Sequence, residues 1–302
     1  MSFAVVFSGQ GMQHAAMLPW LVQDGLVERT CAQLGITDWR HQLENAAWAE
    51  QNANAQSLLT GLGLAAWQQL APALPAPAAM AGYSVGELAA FSAAGVFPAD
   101  TALDLARARA AAMDRCAQRT PGGLLAVSGL ADQPLELLCR HTGLAIAIRN
   151  GPDSVVLGGP PPALTAAEQS ATQQGARCTR LRVGLASHTP WMQAAADGFA
   201  QILVNQPLQR PQWMLFSNAA DRVRDADQAR RALAAQIAQT VRWDECMGNL
   251  HARGVRCVLE VGPGQALARI WNQRYTDVPA RACDDFRSAR TLIDWVCSHS
   301  ND

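Results

Sequence analysis

The segment Ala81-Gly82-Tyr83-Ser84-Val85-Gly86-Glu87-Leu88-Ala89-Ala90 limits more than any other what this chain can fold into. A serine stands at the centre of Gly-x-Ser-x-Gly, where a short apolar run gives way to an alanine-rich helical pattern. That arrangement calls for a strand entering a tight turn and a helix leaving it, with glycines where backbone must approach backbone. On such a turn the Ser84 hydroxyl stands exposed, near the Val85 N–H and the positive end of the following helix. The pattern therefore marks Ser84 as a candidate acyl-transfer nucleophile.

The rest of the chain supplies a setting for that turn. Phe3–Phe7 is a short β-type run ending at Ser8-Gly9-Gln10-Gly11, a loop signal. Helical patterns with Trp20, Trp39, Trp48 and Trp67 follow to about Ala71, and the proline-rich Ala71–Pro77 connects them to a strand over Ala78–Gly82. Helices are expected over Glu87–Ala94 and from Ala99 to about Gln118. Residues 121–187 have their own rhythm. Strands at Leu124–Val127, Leu144–Ile148, Ser154–Gly158 and Cys178–Val183 alternate with helices at Pro134–His141 and Ala163–Gln174. That βαββαβ order predicts a small ferredoxin-like domain. Beyond it come a helix near Met192–Val204, a strand at Trp213–Ser217, a helix near Asp227–Gln239, and a buried strand over Val255–Val261 closed by Gly262-Pro263-Gly264. Alternating strands and helices predict a parallel sheet covered on both faces. The expected architecture is thus α/β: a large α/β-hydrolase-like domain from 1–120 and 188–302, with the small domain 121–187 inserted.

Composition excludes several classes of function. A length of 302 residues with 49% apolar residues suffices for a large core. A net charge of −1 and the absence of a long basic run give no pull toward nucleic acid or an anionic membrane. The eight cysteines include no Cys-x-x-Cys pair, which argues for reduced structural thiols in a cytoplasmic protein and against a zinc site. The apolar start lacks a basic flank and reads as a buried strand. No apolar run is long enough for a membrane span.

A serine nucleophile needs a base. Among the six histidines, His188 in Leu185-Ala186-Ser187-His188-Thr189-Pro190 follows the last strand of the small domain, at the junction of the two domains where clefts form. His14, His41, His141 and His251 fall in polar helical contexts, and His299 lies in the terminal tail.

Four segments together carry a resemblance along nearly the whole chain. Ser8-Gly9-Gln10-Gly11, Gly82-Tyr83-Ser84-Val85-Gly86-Glu87, Ser187-His188 with Met192, and Glu260-Val261-Gly262-Pro263-Gly264 resemble, in order, the GQG loop, GHSxGE elbow, S-H-x-x-M segment and EVGPG turn of the malonyl-CoA:acyl-carrier-protein acyltransferases. Within that family, Tyr83 and the short chain look most like the malonate decarboxylase epsilon subunit. The resemblance implies that Ser84 attacks a thioester carbonyl while His188 moves the proton. It implies that the backbone carbonyl of Gln236 orients the histidine, and that the N–H groups of Gln10 and Val85 hold the oxyanion. Arg109, 25 residues after Ser84, corresponds to the arginine that grips the free carboxylate of malonyl. Arg107 competes for that role, since on a helix only one of the two faces the cleft. Asn150 matches an Asn-x-Pro and either lines the cleft with Gly9 or serves an Asx-turn. Glu87 supports the helix start by its charge.

The resemblance further implies malonyl-CoA as donor and, as acceptor, an acyl carrier protein with a phosphopantetheine-type prosthetic group. That carrier would be the malonate decarboxylase carrier subunit, or the ordinary carrier of fatty-acid synthesis. No tightly bound cofactor or metal, nucleic acid or membrane is implied. Three departures bear on the carrier and the acyl α-substituent: Tyr83 replaces a histidine, Ser8 a proline, and Leu185-Ala186 precede Ser187-His188. Two other readings remain. A serine esterase of the α/β-hydrolase type would have to use His251 or His299, because that fold orders its triad serine, acid, histidine. A docking subunit without chemistry would not need Gln10, Ser84, Arg109 and His188 together.

Overall fold

The computed structural model describes residues 2–301. Its strands are β1 (Phe3–Phe7), β2 (Ala79–Gly82), β3 (Gly123–Ser128), β4 (Ala145–Gly151), β5 (Ser154–Gly159), β6 (Arg177–Arg180), β7 (Leu215–Phe216), β8 (Arg222–Val223), β9 (Val241–Arg242), β10 (Cys257–Val261) and β11 (Ala280–Ala282). They form two sheets, ordered β11-β10-β1-β2-β7-β8 and β6-β3-β5-β4-β9.

The first sheet is parallel except at its edge, where β8 runs antiparallel to β7. β1 is buried along its whole length. Phe3, Val5 and Phe7 enter the core on one face, and Ala4 and Val6 enter the core on the other. A continuous apolar run is what a strand covered by helices on both sides requires. Register then fixes the site: Phe7 lies opposite Gly82 on β2 and Val261 on β10. The loops Ser8–Gly11, Tyr83–Val85 and Gly262–Gly264 therefore leave one edge side by side, at the C-terminal ends of parallel strands where open α/β sheets bind ligands.

In the second sheet, β3 to β6 are antiparallel in the order β6-β3-β5-β4. Leu125 and Val127 of β3 pack beneath the helices Asp132–Thr142 and Pro161–Gln173. Leu124 and Ala126 face the other way and line a cavity with the loops of the first sheet. The sheet is not confined to residues 121–187. β9 joins it in parallel to β4, pairing Val241 with Ile148, and the Thr240 hydroxyl donates to the Ile146 carbonyl. Sequence reading missed this strand because two residues carry no periodicity. It also overextended β6, expected to reach Val183 but ending at Arg180; Leu181, Arg182 and Val183 continue as loop along the cavity.

The helix leaving Ser84 spans Gly86–Ala93, and the helix carrying Arg109 spans Ala99–Arg119. All eight cysteines are free thiols. Among the described residues, no helix is long and apolar enough to cross a membrane.

Candidate active site

The turn at Ser84 is built by close backbone approach. Tyr83 N–H donates to the Phe7 carbonyl at 2.9 Å, continuing the β1–β2 ladder, and Ser84 then turns to φ 55°. A serine in this left-handed region costs about 1 kcal/mol or more and persists only where its surroundings over-determine it. Gly82 and Gly86 supply room for that: a Cβ at Gly82 would overlap the backbone of Gly86 and Glu87, and one at Gly86 the carbonyl of Phe7. Gly9 is also tightly packed, since a Cβ there would lie 2.9 Å from the Tyr83 carbonyl oxygen. Gly86→Ala should therefore lose about 3 kcal/mol of unfolding free energy in urea, because backbone on both sides cannot yield. A loss below about 0.5 kcal/mol would show that the turn relaxes freely.

Ser84 Oγ lies 2.7 Å from His188 Nε2, and His188 Nδ1 lies 2.6 Å from the Gln236 carbonyl oxygen. A carbonyl oxygen only accepts, so Nδ1 carries the proton and Nε2 is free to accept the serine hydroxyl. His188 itself sits at φ 63°, with its N–H donating to the Ile237 carbonyl at 2.8 Å. Burial and the nearby Arg109 cation lower the His188 pKa to about 3, against the bond to Gln236, which raises it. The imidazole is thus neutral and competent as a base across the neutral range.

Arg109 is 2% exposed, and its guanidinium donates to Gln56 Oε1 and Gln236 Oε1, each at 2.7 Å. Both partners are neutral amides that fix its orientation without cancelling its charge. Burial lowers its pKa to about 10, so it remains a cation at neutral pH. Arg107 turns outward and pairs with Asp104 at 3.3 Å, so of the two arginines it is Arg109 that lines the cavity. Ser84, His188, Arg109, Gly9, Gln10, Asn150 and Ser187 line one cavity of about 420 Å³. The N–H groups of Gln10 and Val85 donate to no protein acceptor among the described residues.

Several contributors were not legible beforehand. The Gln236 side chain acts as well as its carbonyl: Nε2 donates to the Ser84 carbonyl at 2.6 Å and to Glu87 Oε2 at 3.1 Å. Glu87, expected only to support a helix start, is fully buried beneath the turn and accepts from Asn218 N–H. Desolvation raises its pKa to about 7. Asn218 and Gln56, both fully buried, were not anticipated at all. Asn150 accepts the Tyr83 hydroxyl at 3.1 Å, which ties the turn to β4 and gives Tyr83 a local structural use. Ser8 donates to Glu260 Oε1 at 2.8 Å, while Glu260 Oε2 accepts from Ala268 N–H, so the Ser8–Gly11 loop is anchored to β10. The alternative histidines are engaged elsewhere. His251 pairs with Asp277 at 3.1 Å and stacks on Tyr275, and His299 bonds the Trp295 carbonyl.

The acyl transferase domain family matches residues 4–293. The malonyl CoA-acyl carrier protein transacylase of Mycobacterium tuberculosis (strain ATCC 25618 / H37Rv) is 34% identical over 290 residues, covering 92% of this chain and 95% of its own. That of Escherichia coli K12 is 30% identical over 301 residues, covering 94% and 96%. Among solved structures, a malonyl-transacylase in complex with its type II PKS acyl-carrier protein (PlMCAT:AntF) matches with a TM-score of 0.90 at 28% identity, covering 97% of this chain and 99% of that one. FabD from Acinetobacter baumannii matches with a TM-score of 0.88 at 29% identity, covering 98% of each. With its mixed α/β fold and parallel sheet, the chain belongs to the acyl transferase domain family.

Proposed function

We propose that this protein is a malonyl-CoA:acyl-carrier-protein S-malonyltransferase working through a malonyl-serine intermediate. The observation that carries the reading is the convergence of the Ser84 hydroxyl, the neutral His188 and the buried Arg109 cation on one cavity. Ser84 Oγ attacks the thioester carbonyl as its proton passes to His188 Nε2. The oxyanion is held by the N–H groups of Val85 and Gln10. The C–S bond then breaks, His188 returns the proton to the leaving sulfur, and coenzyme A departs. The phosphopantetheine-type thiol of the carrier gives its proton to His188 and attacks the ester; the C–O bond breaks and His188 passes that proton to Ser84 Oγ, restoring the free hydroxyl. Arg109 pairs with the malonyl carboxylate, and Gln236 orients His188 through its carbonyl. Coenzyme A and the carrier's prosthetic group enter as substrates, with no resident cofactor in this scheme.

The carrier of fatty-acid or type II polyketide synthesis is the better-supported acceptor, since the relatives named above are malonyl transacylases of acyl carrier proteins. The malonate decarboxylase carrier has weaker support. The chain is not short for a transacylase, and Tyr83 has the local partners Asn150 and Trp243. We also read the large unit (1–120 and 188–302) as α/β-hydrolase-like and 121–187 as a ferredoxin-like insertion. The sheet order β6-β3-β5-β4 supports the latter, corresponding to fourth, first, third and second strands of βαββαβ.

A transfer assay with malonyl-CoA tests the reading, using a holo acyl carrier protein of the fatty-acid type beside a carrier bearing the dephospho-coenzyme A derivative. Efficient transfer to the first, abolished by Ser84→Ala, is expected. Transfer only to the second would move the protein into malonate decarboxylation, and transfer to neither would end the proposal.

A further inference from the structure

We propose that Asn218 is a positioning residue for the nucleophile, its amide holding Ser84 in the left-handed turn that presents Oγ to His188. Asn218 follows β7, the neighbour of β2, and its side chain is completely buried. Its Oδ1 accepts the Ser84 N–H at 2.9 Å, and its Nδ2 donates to the Gly82 carbonyl at 2.7 Å. The two contacts grip the chain on either side of Tyr83, across the bend itself. The clamp is in turn fixed by Glu87, which accepts the Asn218 N–H and the Gln236 side-chain amide. Gln236 bonds both His188 and Arg109. One buried network thus registers nucleophile, base and cation against each other.

An amide is the group this position needs, because one atom must accept while the other donates. Occupation of the Ser84 N–H also has a consequence. It removes that donor from the oxyanion site and leaves the next amide, Val85, to face the carbonyl oxygen. A protonated aspartic acid reproduces the amide's pattern, with O–H for the Gly82 carbonyl and C=O for the Ser84 N–H. An ionised aspartate does not, since it turns an acceptor toward the Gly82 carbonyl. The ionisable groups around position 218 are Glu87 from the helix Gly86–Ala93, Cys246 from the helix Trp243–His251, Arg242, whose backbone N–H donates to the Asn218 carbonyl, and Arg109 beyond Glu87. Burial beside the Glu87 carboxyl favours the protonated form of an aspartate placed there.

The inference rests on the reading that malonyl-CoA acylates Ser84, so the test pairs that acylation with a probe indifferent to the acyl group. Full-length Asn218→Ala and Asn218→Asp, checked for folding by circular dichroism, are compared with the parent in two reactions. These are single-turnover malonylation, followed by mass, and labelling of Ser84 by a fluorophosphonate, which phosphonylates Oγ with loss of fluoride. Asn218→Ala is expected to slow both about 100-fold with the half-saturating malonyl-CoA concentration unchanged, because Arg109 is untouched. Asn218→Asp should match it near pH 9 and regain about tenfold by about pH 6, while the alanine variant's deficit stays constant. Rates within about threefold of the parent for both variants would overturn the proposal, as would an aspartate variant that never outpaces alanine. A parent that takes the fluorophosphonate but no malonyl group would instead defeat the malonyl reading, and the labelling series alone would then decide the role of Asn218.

Discussion

Arg109→Ala is expected to lower kcat/KM for malonyl-CoA by about 10³-fold while sparing acetyl-CoA, so that the preference between the two collapses. A buried charge deprived of its partner costs about 2–5 kcal/mol, or one to more than three powers of ten in rate. Gln56 and Gln236 orient the guanidinium without cancelling its charge, which the buried Glu87 carboxyl offsets only in part. An acetyl group would leave the cation in that state, and a malonyl carboxylate would neutralise it. Arg109→Lys should lie between, keeping the charge but losing the planar fork. The alanine variant also has a pH signature. Arg109 is one of the causes that lower the His188 pKa to about 3, so removing it must raise that value. The base works only when neutral, and its rate falls as pH drops through its pKa. The acid limb of acylation should therefore move to higher pH in Arg109→Ala, measured with acetyl-CoA as donor. An unchanged malonyl preference would remove this account of selectivity.

His188→Ala should slow acylation of Ser84 by about 10⁴-fold, since a positioned base contributes about 10²–10⁴ and His188 is the side chain bonded to Ser84 Oγ. Binding of malonyl-CoA, held through Arg109, should change little. Stopped-flow acylation and equilibrium binding separate the two effects. In the parent, the acid limb set by His188 should lie well below where an imidazole of ordinary pKa begins to fail. The esterase order makes the opposite forecast. Loss of acylation in His251→Ala or His299→Ala with His188→Ala active would favour it, although His251 is engaged with Asp277 and Tyr275.

The parts of this site that could be read from sequence are those fixed by local geometry. The strand-to-helix turn at Ser84 is legible because the Gly-x-Ser-x-Gly spacing is local: Gly82 is demanded by the backbone of Gly86 and Glu87, although Gly86 is demanded by the Phe7 carbonyl of the neighbouring strand. The loops after β1 and β10 are legible as glycine-rich ends of apolar runs, and their convergence follows from parallel register. His188 is legible from its place after the last strand of the small domain, whereas the roles of Arg109 and the Gln236 carbonyl came from resemblance, since residues so far apart carry no spacing signal. Least visible was the buried polar support. Asn218 follows a two-residue strand, and its contacts reach 134 and 136 residues back along the chain. Glu87 in a helix's first turn looks like an ordinary partner for the helix dipole, and only its complete burial distinguishes it. Gln56 left a faint signal, as an amide in the long and largely apolar helix Asn52–Leu70. Pairing of β9 with β4 left none, because Val241-Arg242 is too short to alternate.

The most direct measurement is peptide mapping of the intact protein after brief exposure to malonyl-CoA, with acetyl-CoA in parallel. A single malonyl group on the peptide containing Ser84, absent in Ser84→Ala and far more abundant than any acetyl group, is the predicted result. Malonyl on a different residue, or equal acetyl and malonyl occupancy of Ser84, would contradict it.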